Sequence, residues 1–70
     1  MNVKIARIKM GLTQKQLREK LISDYKVGIS PCTIVAIEKG DYSSLNYEKI
    51  VAIAAALNST VTELFFSDEE

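Results

Sequence analysis

An all-α fold, five short helices packed as one compact bundle, is what this chain predicts, and three observations carry it. Apolar residues return at three- and four-residue steps in successive segments, with no strand-like alternation. Each segment opens on a residue type that caps helices: Asn2, Thr13, Ser30, Asn46 and Thr60. The connections between segments are short and polar, which suits a small bundle.

In order along the chain, Val3, Ala6 and Met10 form the buried stripe of a first helix over 3–10, capped by Asn2 and stopped by Gly11. Thr13 opens the second, over 13–22. Gln16, three residues on, completes a capping box in which each side chain satisfies the other's free backbone N–H. Leu17 and Leu21 give this helix its apolar stripe. The third runs from Ser30 to Lys39. Its first helical position is Pro31, where a missing N–H costs nothing, and Gly40 closes it. Ile34 and Ile37 face inward. Asn46 caps the fourth, with Ile50, Ile53, Ala54 and Leu57 toward the core. Thr60 and Glu63 form a second capping box that opens a short fifth helix through Val61, Leu64 and Phe65.

Composition narrows the function classes. Seventy residues make one small domain, expected over 1–66 and followed by an acidic tail at 67–70. The longest apolar run, Ile50 to Leu57, is far short of the ~20 residues a membrane span needs. MNVKIARIKM has no stretch suited to a signal peptide, and one cysteine excludes an internal disulfide or a thiolate-rich zinc site. A cytoplasmic protein is expected. There is no histidine for general-base work and no glycine-rich phosphate loop, so neither an enzyme nor a cofactor is expected. No metal site is expected either, because Asp68-Glu69-Glu70 reads as a solvated terminus. Net charge is zero but unevenly placed. Residues 1–26 hold seven basic and two acidic side chains, and residues 27–70 hold two basic and seven acidic. The positive half can meet a polyanion.

GLTQKQLREKL followed by GISPCTIVAIEKG, and then NYEKIVAIAAALNSTVTELF, resembles the lambda-repressor-like, Cro-type helix-turn-helix family. Arg7, four residues before Gly11, also falls where that family commonly carries arginine. The resemblance extends from about Val3 to Phe65. It implies a double-stranded DNA-binding domain in which residues 13–22 lie over the backbone and residues 30–39 enter the major groove. Gln14 would contact the backbone or buttress the third helix, beside Lys15 at a second phosphate. Lys39, Tyr42, Ser43 and Ser44 would donate to further phosphates, with Asp41 repelling them.

The base-reading positions implied by the resemblance are Ser30, Pro31, Cys32 and Val35, with Thr33 and Ala36 nearby. None makes the bidentate contact by which Arg reads guanine or Gln reads adenine. Hydroxyl bonding from Ser30 and Thr33, and thymine-methyl contact from Val35 and Ala36, remain. That chemistry favours A·T-rich sites, with DNA shape and water supplying part of the selectivity. Cys32, at a helix N-terminus, is either a small neutral surface residue or a thiol of raised reactivity.

Two departures from the family pattern stand out. About six extra residues, Ile22 to Val27, separate the second and third helices, and Arg18 occupies a position where the family prefers a small alanine. A longer second helix would rotate Arg18 outward, with Tyr25 and Lys26 near the DNA backbone. The alternative is a solvent loop with Tyr25 packed beneath it. Symmetric sites imply a homodimer, for which Val51, Ala55, Phe65 and Phe66 are the expected interface. Three roles follow: a stand-alone transcriptional repressor, an antitoxin-like or accessory regulator acting mainly through a protein partner, and an interaction module that no longer binds DNA.

Overall fold

The computed structural model describes residues 2–66; the acidic tail 67–70 lies outside them. The described residues form five helices and no strand: α1 Val3–Lys9, α2 Gln14–Tyr25, α3 Pro31–Glu38, α4 Tyr47–Ala56 and α5 Val61–Phe65. The all-helical expectation holds.

Every expected cap is made. Asn2 Oδ1 accepts the Ile5 N–H at 2.9 Å and Asn46 Oδ1 accepts that of Lys49 at 2.9 Å. Both capping boxes are reciprocal. Thr13 Oγ1 takes the Gln16 N–H while Gln16 Oε1 takes the Thr13 N–H, and Thr60 and Glu63 repeat the exchange. Each such cap contributes about 1 kcal/mol by satisfying backbone donors the helix itself leaves open. Gly40, with φ +96°, occupies the left-handed region just beyond α3.

The centre of the core is Val3, Leu17, Leu21, Ile34, Ile37 and Ile53, all essentially inaccessible to solvent. Met10 does not join it: α1 ends at Lys9, and Met10 is 40% exposed beyond the last turn. On α4 the buried arc is wider than the expected stripe. That helix packs on both α2 and α5, so Ala52 and Ala56 are buried while Ile50 is only half-buried.

The segment between α2 and α3 is not the solvent loop that was one alternative. Residues 22–25 continue α2 by another turn, and Lys26 reverses the chain in the left-handed conformation, φ 59° and ψ 34°. Its N–H reaches the Ile22 carbonyl at 3.2 Å, and that of Val27 reaches Leu21 at 3.1 Å. Val27 and Ile29 then bury themselves in the core. The added turn projects past the core, so Ile22 is exposed.

Candidate nucleic-acid interface

Three helices meet at one carboxylate. Arg7 of α1 donates from Nε to Glu38 Oε2 at 2.6 Å and from Nη2 to Oε1 at 3.3 Å, and its Nη1 donates to the Leu12 carbonyl at 2.7 Å. Gln14, at the first turn of α2, donates its amide to Glu38 Oε1 at 3.0 Å. Burial pushes the Glu38 carboxyl up, but hydrogen bonds from Arg7 and Gln14 and the charges of Arg7 and Lys4 more than offset this. The group is held below its ordinary value and stays ionised. The final residue of α3 is thereby tied to α1 and α2. The sequence reading missed Glu38; its one signal was its position beside the buried Ile34–Ile37 stripe.

Gln14 is thus seen buttressing α3, one of the two roles considered for it, while Lys15 beside it is exposed. On α3 the buried stripe leaves Pro31, Cys32 and Val35 exposed, with Thr33 and Ala36 half-buried between. Ser30 Oγ accepts the Thr33 N–H at 3.2 Å and donates its own proton to Thr33 Oγ1 at 2.9 Å. The Ser30 hydroxyl is therefore occupied in capping, whereas Thr33 keeps a proton to donate outward. The surface presented is a small apolar ridge with one hydroxyl.

Of the other residues expected at the DNA backbone, Lys39, Ser44 and Lys26 are exposed, and Tyr25 is 36% exposed on the added turn of α2. Ser43 is less available than its sequence suggests. Both its N–H and its O–H donate to Asp41 Oδ1, at 3.1 and 2.7 Å, which also holds the Asp41 carboxyl below its ordinary value. Tyr42 is half-buried, its ring edge-on to Phe65 with centroids 4.8 Å apart. Arg18 is not rotated outward. It is half-buried, and its Nε is shut off from solvent with no hydrogen-bond partner among the described residues.

Among the expected interface residues, Val51 is 39% exposed and Ala55 is exposed; Tyr47, on the same four-residue repeat, is 78% exposed. Phe66 is 67% exposed, but Phe65 is a correction. It lies in the core of its own chain, because α5 turns that face toward α4 and Tyr42. No helix among the described residues is long and apolar enough to cross a membrane.

Comparison with known proteins yields one family: a model described as Helix-turn-helix matches residues 26–64, more than half of the chain. The matched segment begins at the reversal after α2 and spans α3, α4 and nearly all of α5. No curated protein and no solved structure matches.

Proposed function

The chain belongs to the lambda-repressor and Cro type of helix-turn-helix family, whose members are DNA-binding transcription regulators, and on that premise we propose that it is a repressor binding a short, two-fold-symmetric operator as a homodimer. Residues 1–66 act as the DNA-binding unit. Contact with double-stranded DNA is made by α3 in the major groove, with the leading end of α2 over the backbone.

The observation that carries the reading is the outward face of α3. Pro31, Cys32, Thr33, Val35 and Ala36 reach the surface on a helix anchored at its far end through Glu38. Val35 and Ala36 contact thymine methyls, Thr33 donates one hydrogen bond, and Ser30 and Pro31 shape the leading edge. With no bidentate reader present, A·T-leaning sites and DNA shape supply the selectivity. Lys15, Lys26 and Lys39 neutralise phosphates, Tyr25, Tyr42 and Ser44 donate to them, and the proton of Ser43 is secondary because it is already donated to Asp41. Repression follows from occluding polymerase at the bound site.

Selection of bound duplexes from a randomised pool, at two salt concentrations, tests this. The expected outcome is a short symmetric A·T-leaning motif, with half-sites about 34 Å apart and affinity falling steeply with salt as counterions are released. Salt-sensitive binding with no enriched motif would refute sequence reading by α3. No binding at either salt would refute the DNA-directed role and favour a regulator acting through a protein partner.

A further inference from the structure

The chain has two arginines, and their surroundings differ. Arg7 commits every nitrogen of its guanidinium to Glu38 and the Leu12 carbonyl. Arg18 is half-buried on α2, its Nε is shut off from solvent, and it pairs with no carboxylate among the described residues. Local sequence denies it an internal anion. Its helical neighbours, three and four residues away, are Gln14, Lys15, Leu21 and Ile22. Glu19 and Asp24, the acidic residues of α2, are exposed and form no ion pair among the described residues. α3 packs on α2 and has Glu38 as its one carboxylate, which Arg7 and Gln14 already share. The carboxylate of α4, Glu48, is exposed at that helix's first turn. A half-buried charge with no internal partner is costly to keep, and an anion from outside offsets that cost.

Helical register places this cation on the surface assigned to DNA. Gln14 and Arg18, four residues apart, share one edge of α2, and Gln14 meets α3 at Glu38. On α3 the edge that carries Glu38 continues through Val35 and Pro31, both exposed. Lys15, three residues before Arg18, is exposed on the outer flank of α2. Arg18 therefore stands between Lys15 and the α3 ridge. Its Nε is closed inside the seam, which leaves the terminal nitrogens to an incoming acceptor. Side chains at this spacing start about 5–6 Å apart at Cβ, so the two cations can act on one stretch of backbone.

We propose that Arg18, together with Lys15, grips the phosphate backbone of the DNA, its terminal nitrogens donating to phosphate oxygens while the packed stem holds the fork in place. This rests on the DNA-binding reading and deepens it. A phosphate is the acceptor because α2 lies over the backbone in that reading, and the amide of Gln14, one turn nearer the leading end, is already given to Glu38. The backbone contact of α2 thus passes from Gln14 to Arg18.

Titration of the full chain against a panel of short duplexes of differing sequence, at several salt concentrations, tests the contact, with folding checked by urea unfolding. Arg18→Met keeps an apolar stem and removes the charge. It is expected to weaken binding by about tenfold or more at low salt, by the same factor on every duplex, and to reduce the salt slope by about one unit. Arg18→Lys keeps the charge and is expected to retain the wild-type slope. Unchanged affinity and slope in Arg18→Met, on duplexes that wild type binds with a steep salt dependence, would overturn the contact and leave the DNA reading standing. Loss confined to particular sequences would assign the fork to a base and overturn the phosphate. Equal loss in Arg18→Met and Arg18→Lys with no change in slope would make Arg18 a packing residue and overturn its role at the backbone. Wild type that binds no duplex at any salt would overturn both the contact and the reading beneath it.

Discussion

Replacing Glu38 by alanine removes the acceptor shared by Arg7 and Gln14 and leaves both donors facing a largely dry junction. The Arg7 and Glu38 side chains are 12% and 6% exposed. Removing one member of a buried, hydrogen-bonded pair costs about 3–5 kcal/mol, because the remaining charge has lost its compensation. This pair sits at the edge of the core, and Arg7 keeps the Leu12 carbonyl, so the lower end, about 3 kcal/mol, applies. A domain of this size has roughly 3.5–10 kcal/mol in total. The loss therefore lowers the melting temperature by roughly 12–24 °C. Urea unfolding followed by circular dichroism should show the midpoint falling with the slope unchanged. The double variant Arg7→Met with Glu38→Leu should lie within about 1 kcal/mol of wild type, since it removes both charges together. A cost below about 1 kcal/mol for Glu38→Ala would refute the clamp. Acidity gives an independent check. The Glu38 carboxyl is depressed in the folded state, so its contribution is present above the ordinary value of 4.5 and is lost as pH falls through the lowered folded value. Asp41 is also depressed, from an ordinary value of 3.8, so any contribution it makes is present above that value and lost at lower pH than the onset for Glu38. The difference between wild type and Glu38→Gln isolates the Glu38 share.

Further outcomes follow from the same geometry. Lys26→Gly should stabilise the fold by about 1 kcal/mol, because glycine adopts the observed φ of 59° without strain. It should also weaken DNA binding and reduce the salt slope by about one unit, as read by titration at several salt concentrations. Arg18→Met should raise the urea midpoint, by about 1 kcal/mol in stability, by removing the shut-off Nε while keeping the packed stem; a lowered midpoint would mean that this nitrogen is satisfied in solution. Val35→Ala should weaken binding only on duplexes where it loses a thymine methyl. On a duplex with uracil in place of the contacted thymine, wild type and variant should bind alike in a gel-shift titration.

Much of the fold was legible because its signals are local. A cap and its backbone donor lie three residues apart, and the apolar stripes of α2 and α3 repeat within one or two turns. Asn2, Thr13, Ser30, Asn46 and Thr60 could therefore be assigned from neighbours alone, as could the burial of Leu17, Leu21, Ile34 and Ile37. The outward residues of α3 were legible for the same reason: once Ile34 and Ile37 face inward, helical geometry sends Cys32 and Val35 outward.

What periodicity could not supply was the partner of each group. Met10 continues the α1 stripe by count, yet the helix ends before it. Phe65 and Phe66 are adjacent and identical in chemistry; only the placement of α5 against α4 and Tyr42 buries the first and exposes the second. Ser43 is a hydroxyl on paper and an Asp41 ligand in the folded turn. By itself, then, the sequence determined five capped helices and the apolar character of the helix assigned to the groove, because those depend on residues within a turn of one another. Tertiary structure alone decided that residues 22–25 extend α2, and that Arg7 and Gln14 converge on Glu38 across separations of 31 and 24 residues. Such pairings are set by how helices pack, and no local pattern encodes the distance between two side chains brought together from different helices.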